Sequence, residues 1–211
     1  MRRFVSTTFV CMLVAFAAFA RAQEVDLGAG ASILSSPKNI TASQGFVPPA
    51  ESGGIYPSIL VQYRLPNHFG INAETSFRYT QGLYAGFQPY RPVIYDINGI
   101  YSAHLAHKTT GDFMAGIGGQ TVLFYNANNI CNIPGGGCRT FLDATHFLVH
   151  FGVGVRYSFW QKYFVRPEAN WYIIPNNYEF HSDNVFRVGA TIGYVFGTHP
   201  PKPAPRPVAP Q

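Results

Sequence analysis

Charge is scarce in this sequence. Asp, Glu, Lys and Arg make up 12% of the 211 residues, well under the usual quarter of a globular domain. A soluble exported domain of this size needs more charge on its surface. The formal net charge of +5 sits at the ends: without Arg2, Arg3, Arg21, Lys202 and Arg206, ten Lys and Arg meet ten Asp and Glu between Gln23 and Gly197. A neutral body offers no electrostatic footprint for nucleic acid. Long apolar runs are also missing. Nothing after residue 22 is continuous enough for a spanning helix, which excludes a helical membrane protein. Cysteine is rare as well, with Cys131 and Cys138 alone beyond the first 22 residues.

The first 22 residues have an address of their own. Arg2 and Arg3 precede an apolar run from Phe9 to Ala20, followed by Ala20-Arg21-Ala22. A basic start, a short apolar core and an A-x-A exit describe a secretory signal peptide. Cys11 lies at the front of the apolar run and follows Val10, which argues against a lipoprotein site. The mature chain is expected to start near Gln23 and to form one domain over 23–197. A proline-rich tail, 198–211, is expected to be extended. In an oxidising compartment Cys131 and Cys138 read as a small-loop disulfide. A metal pair is the rival reading, but no further ligands lie nearby.

Between these ends the sequence alternates. In Val185–Phe196 the positions Phe186, Val188, Ala190, Ile192, Tyr194 and Phe196 are apolar, while Arg187, Gly189, Thr191 and Gly193 lie between them. Successive strand side chains point to opposite faces, so this is a strand with one greasy and one mixed side. Seven more segments repeat the pattern: Val25–Leu34, Ile55–Arg64, Phe69–Thr80, Pro92–Leu105, Asp112–Tyr125, Thr145–Phe159 and Tyr163–Ile173. Pro167 falls on an apolar face and removes one ladder bond. Aromatics such as Tyr63, Tyr125, Phe159, Trp160, Tyr163, Trp171 and Phe196 gather near strand ends.

Two architectures fit such strands: a soluble lipocalin-like barrel with the greasy faces inward, and a membrane barrel with them outward. The connections favour the second. They run long, short, long, short, long, short, long, and sorting by parity is a property of transmembrane barrels. The expected fold is therefore all-β, an eight-stranded antiparallel up-and-down transmembrane barrel, with both termini on the periplasmic side of the bacterial outer membrane. Charge obeys the same division. Asp26, Arg64, Glu74, Arg78, Asp96, His150, Arg156, Arg166, Glu168 and Arg187 all fall on the mixed faces, and a barrel of eight strands has an interior that side chains fill. A hairpin register centred on Gln161 puts Gly154 opposite Glu168 and Arg156 opposite Arg166, with Glu168 neutralising both arginines diagonally.

Signal peptide, amphipathic strands, loop parity and the closing G-A-T-I-G-Y-V-F stretch together resemble the OmpA/OmpX-type outer-membrane barrels. The resemblance covers about Gln23 to Gly197. It implies that Phe196, a terminal aromatic, is read by the barrel-assembly machinery, although here a tail follows it. Such proteins can carry a peptidoglycan-binding domain after a proline-rich linker, and this chain ends where that domain would begin.

Other motifs carry less. Gly28-Ala29-Gly30 lacks the third glycine and following helix of a dinucleotide turn. His104 and His107 read as a solvated turn, since a strand does not bring them to one side. Asn39-Ile40-Thr41 is a sequon only by pattern. His146 and His150 are bases for a lipid-modifying enzyme, but their parity sends them into the lumen, with no serine beside either on the lipid face. The expectation is a non-enzymatic barrel with no cofactor and no metal, in contact with outer-membrane lipid and lipopolysaccharide. A surface ligand would be met through the loops 81–90 and 126–144.

Overall fold

The structure, a computed structural model, describes residues 24–37, 50–65, 67–130, 138–180 and 182–197. The expected signal peptide, the Asn39 sequon, Cys131 and the proline-rich tail lie outside them. Cys138 is not a free thiol.

Nine strands follow one another: β1 Glu24–Ser35, β2 Ile55–Arg64, β3 Phe69–Phe77, β4 Gly82–Tyr84, β5 Gln88–Ala106, β6 Thr109–Ile130, β7 Arg139–Ser158, β8 Tyr163–Ile173 and β9 Asn184–Phe196. All pairings are antiparallel between chain neighbours, except that β3 pairs β5 and β9 pairs β1. The three-residue β4 continues the line of β3 along β5. The wall therefore has eight staves and closes on itself. Closure places Val25 opposite Phe196 and Leu34 opposite Arg187, the expected pairing of first and last strands.

Side chains sort as the alternation requires. On β1, Leu27, Ala29, Ala31 and Ile33 face outward while Asp26, Ser32 and Leu34 are buried inside. On β7, Phe147, Phe151, Val153, Val155 and Tyr157 are exposed, with His150, Gly152, Gly154 and Arg156 within. Each strand thus exposes its apolar face and buries its polar one, the reverse of a soluble core and the order suited to a lipid surround. Aromatic rings band both ends. Phe159, Trp160, Tyr163, Tyr194 and Phe196 interlock at one end, and Trp171 stacks on Phe186 toward the other.

The connections keep the expected parity, with three differences. His107–Lys108 is a two-residue turn, tighter than expected. The stretch 81–90 is not an open loop: β4 and the start of β5 pair through Gly82↔Tyr90 and Tyr84↔Gln88, turned by Ala85 and Gly86 at positive φ. Nor is 126–144 a free loop. β6 runs to Ile130 and β7 starts at Arg139, with pairs from Leu123↔Asp143 to Tyr125↔Phe141 and at Ile130↔Arg139. Both stretches lack apolar alternation because their strands pair through the backbone, above any apolar surround. β7 meets β8 only from Val149 onward. The β6–β7 ribbon thus projects past β8, β9, β1 and β2, and residues 139–148 have no strand partner on the β8 side among the described residues.

Candidate functional site

The lumen and its mouth hold the polar chemistry of this protein. Toward the short turns, Asp26 on β1 lies between Arg64 on β2 and Arg156 on β7. Arg64 Nε stands 3.2 Å from Asp26 Oδ2, and Arg156 donates to both Asp26 oxygens. Asp112 on β6 completes the group: it lies 3.3 Å from Arg64 Nη2 and accepts from Ser102 Oγ at 2.7 Å. Arg156 also places its Cζ over the Phe164 ring, 3.9 Å from the centroid. Two carboxylates and two guanidiniums therefore compensate each other, with both carboxylates buried. Glu168 does not neutralise Arg156, as expected from the hairpin; Asp26 does, from across the lumen.

Glu168 serves the next layer. It pairs with Arg166 at 2.9 Å and with Arg187 at 3.4 Å. Arg166 also donates to Gln62 Oε1 at 2.8 Å. Arg187 reaches Glu74 at 2.7 Å and Ser76 Oγ at 2.9 Å. Gly154 stands opposite Glu168, as the Gln161-centred register requires, and the β7–β8 ladder breaks at Val155 and Arg156, beside Pro167.

His150 sits beside this layer, fully buried and stacked on Tyr172 at 4.6 Å. Its Nδ1 is 2.7 Å from Asn98 Oδ1 and its Nε2 is 3.0 Å from Asn170 Oδ1. The neighbours fix both amides. Asn98 Nδ2 donates to Asn72 Oδ1 at 2.8 Å and to Asp96, and Asn170 Nδ2 points at Glu168 Oε1. Turning either amide over would set oxygen against carboxylate. Both ring nitrogens therefore face amide oxygens, and the ring is held between β5 and β8. The layers thus bring Asp26, Glu74, Asp96, Asp112 and Glu168 among Arg64, Arg156, Arg166, Arg187 and His150.

The mouth at the long-loop end is different. Leu34, Tyr56, Ile94, Leu148, Tyr172, Ile174 and Val185 form an apolar cluster inside the barrel. Tyr90, Val122 and Phe180, with Tyr84 and Phe124 against them, form a second. Ile174, Asn177 and Phe180 come from the β8–β9 connection, which folds back into the opening. Ile174 N–H donates to Asp183 O at 2.7 Å and Asn177 Nδ2 to Ser182 O at 3.0 Å. Glu51, from the β1–β2 connection, is fully buried beside them and accepts from Gln120 Nε2. Burial pushes its carboxyl up to about 7. Arg78, expected in the lumen network, instead lies half-buried here and donates to Tyr90 OH at 2.8 Å. His146 meets Glu179 at 2.7 Å, and Tyr84 OH donates to Glu179 O at 2.6 Å.

Of the expected lumen residues, Glu74, Asp96, His150, Arg156, Arg166, Glu168 and Arg187 come together. Sequence reading missed Asp112, Glu51, Glu179 and Phe180. Asp112 has the parity of Met114 and could have been included; the other three lie in connections that carry no period. His104 and His107 are exposed at the opposite end, beside a recess of about 660 Å³ lined by Glu24, Arg64, Lys108 and Trp160 among others. Among the described residues no group of His, Cys, Asp or Glu could hold a metal.

No protein-family model matches the sequence, and no curated protein matches it. Solved structures do. Ail, the attachment invasion locus protein of Yersinia pestis, superposes with a TM-score of 0.54 at 10% identity, over 83% of this chain and 100% of that one. Neisserial surface protein A gives 0.53 at 14% identity, over 84% and 98%. The N-terminal β-barrel domain of Pseudomonas aeruginosa OprF gives 0.53 at 12%, over 82% and 97%. The fold is that of an eight-stranded outer-membrane barrel. At these identities the likeness concerns the fold, and it agrees with the OmpA/OmpX-type resemblance read from the strands.

Proposed function

We propose that this chain is a non-enzymatic bacterial outer-membrane barrel with a filled lumen, acting in envelope structure and surface interaction. The supporting observation is the contrast between a lumen closed by side chains and a β6–β7 ribbon that projects beyond it. A filled lumen leaves the outer surface as the place of function. An unpaired strand edge is a ready partner for another chain, and the exposed Leu142 and half-buried Phe141 and Tyr125 add apolar area there. The short turns and both termini face the periplasm, and the ribbon and the β4–β5 hairpin face outward. Phe196 engages the assembly machinery, the apolar belt meets lipid, and the outer rim meets lipopolysaccharide. A small gated channel is the second reading, favoured by the loop-built closure of the mouth. Replacing residues 125–141 with a two-residue turn, which keeps Phe124 opposite Leu142, and measuring attachment of cells to host and abiotic surfaces tests the first. Lost attachment with heat-modifiable gel migration preserved supports it; unchanged attachment removes the ribbon from the function.

A further inference from the structure

The two ends of the lumen close differently. At the long-loop end apolar side chains fill the mouth. At the short-turn end the last lumen-facing side chains surround a recess of about 660 Å³, within the size range of small-molecule sites. Arg64 and Arg156 both line it, and both hold Asp26 Oδ2, so the two guanidiniums stand side by side. Their partners Asp26 and Asp112 are buried and take no part in the lining. Arg64 uses Nε on Asp26 and Nη2 on Asp112, and its Nη1 donates to neither. The β5–β6 turn adds Lys108, exposed, while Thr110 and Ser158 bring hydroxyls. Glu24 is the one carboxylate among the lining residues. Phe159 and Trp160, the latter 72% exposed, supply an apolar wall from the β7–β8 turn.

We propose that this recess binds an organic oxyanion, a phosphate or carboxylate head on an apolar body. The carboxylates that neutralise the two arginines lie behind them. With Glu24 excepted, a ligand entering the recess therefore meets N–H groups and hydroxyls before it meets negative charge. Guanidinium N–H groups are geometrically matched to phosphate and carboxylate oxygens. Lys108 at the rim adds an attraction that salt screens. The volume exceeds what a bare ion occupies, and an apolar body gains by leaving water against Trp160 and Phe159. In the orientation proposed above the recess opens to the periplasm. That direction of entry rests on the proposed orientation; the binding does not.

Titration with phenyl phosphate tests this, using the full chain with Trp171→Phe in detergent micelles. Both ends of the barrel are then accessible, and Trp160 is the one tryptophan left to report. A saturable change in its emission is expected, weakening as salt rises. Inorganic phosphate is expected to compete about tenfold more weakly, because it buries no ring, and benzylammonium not to compete. Lys108→Gln is expected to weaken phenyl phosphate about threefold. Lys162→Gln makes the same charge change at the same end, but Lys162 is outside the lining with its Nζ over Tyr194, and it is expected to leave binding unchanged. Arg64→Gln is expected to weaken binding about tenfold; should it fail to give heat-modifiable protein, the two lysine variants decide. No saturable binding by heat-modifiable parent, equal competition by the three probes, or equal losses in the two lysine variants would overturn the site.

Discussion

Asp26 holds Arg156 directly across the lumen, although their strands β1 and β7 are three staves apart in the wall. The contact joins residues 130 positions apart. Asp26 also carries Arg64, so one carboxylate neutralises two guanidiniums with the help of Asp112. Removing it strands Arg156 and leaves Arg64 with Asp112 alone. Asp26→Asn is expected to destabilise the barrel by about 3–5 kcal/mol. Arg156→Met is expected to cost less, since Asp26 keeps Arg64. Urea unfolding in thin-bilayer vesicles measures both. Equal and small effects would show that the pair is dispensable.

His150 is gripped from both sides, because Asn98 and Asn170 each turn an amide oxygen toward a ring nitrogen. His150→Leu is expected to cost about 1–3 kcal/mol in the same urea unfolding, because both amides lose a buried partner. No loss in His150→Leu would show that the two amides do not depend on the ring.

Space inside the barrel is set by glycines at chosen places. A Cβ on Gly116 would run into Ile97 O and Asn98 Oδ1. Gly99, on the outer face of β5, has nothing nearer than Ala115 O at 3.8 Å. Gly116→Ala should therefore lose about 1–3 kcal/mol through overpacking. Gly99→Ala should stay within about 0.5 kcal/mol of the parent. The same unfolding experiment separates them, and a reversed order would place the two glycines on the wrong faces.

The outer face makes its own demand. Ile97 is 62% exposed at mid-wall and Leu83 is 61% exposed on β4, beyond the end of β3. If lipid surrounds the wall, Ile97→Lys should cost about 2–4 kcal/mol and Leu83→Lys about 0–1. Equal costs would mean that the apolar belt does not meet a bilayer.

What the sequence revealed follows from where its periods reach. Alternation assigned the faces of β1 to β3 and of the wall-forming parts of β5 to β9, because each residue's side follows from its neighbour's. The Gln161-centred register held because a four-residue turn, Phe159–Lys162, leaves the β7–β8 hairpin little freedom. Pro167 interrupted its ladder where its missing donor required. Contacts across the lumen were not legible in this way. Whether Arg156 meets Glu168 or Asp26 depends on how the closed wall staggers its strands, which no local pattern records. Glu51 and Phe180 were missed because they lie in connections whose burial comes only from folding back into the mouth. The strand ends above Tyr125 and before Thr145 were missed because backbone pairing outside an apolar surround leaves no hydrophobic period.

The central claim is that the lumen is filled by paired side chains from Asp26 up to Phe180. Planar-bilayer recording of the refolded full chain, in mildly acidic buffer, tests it most directly. The account predicts at most small, intermittent conductance. A large, steady, water-filled pore would contradict it.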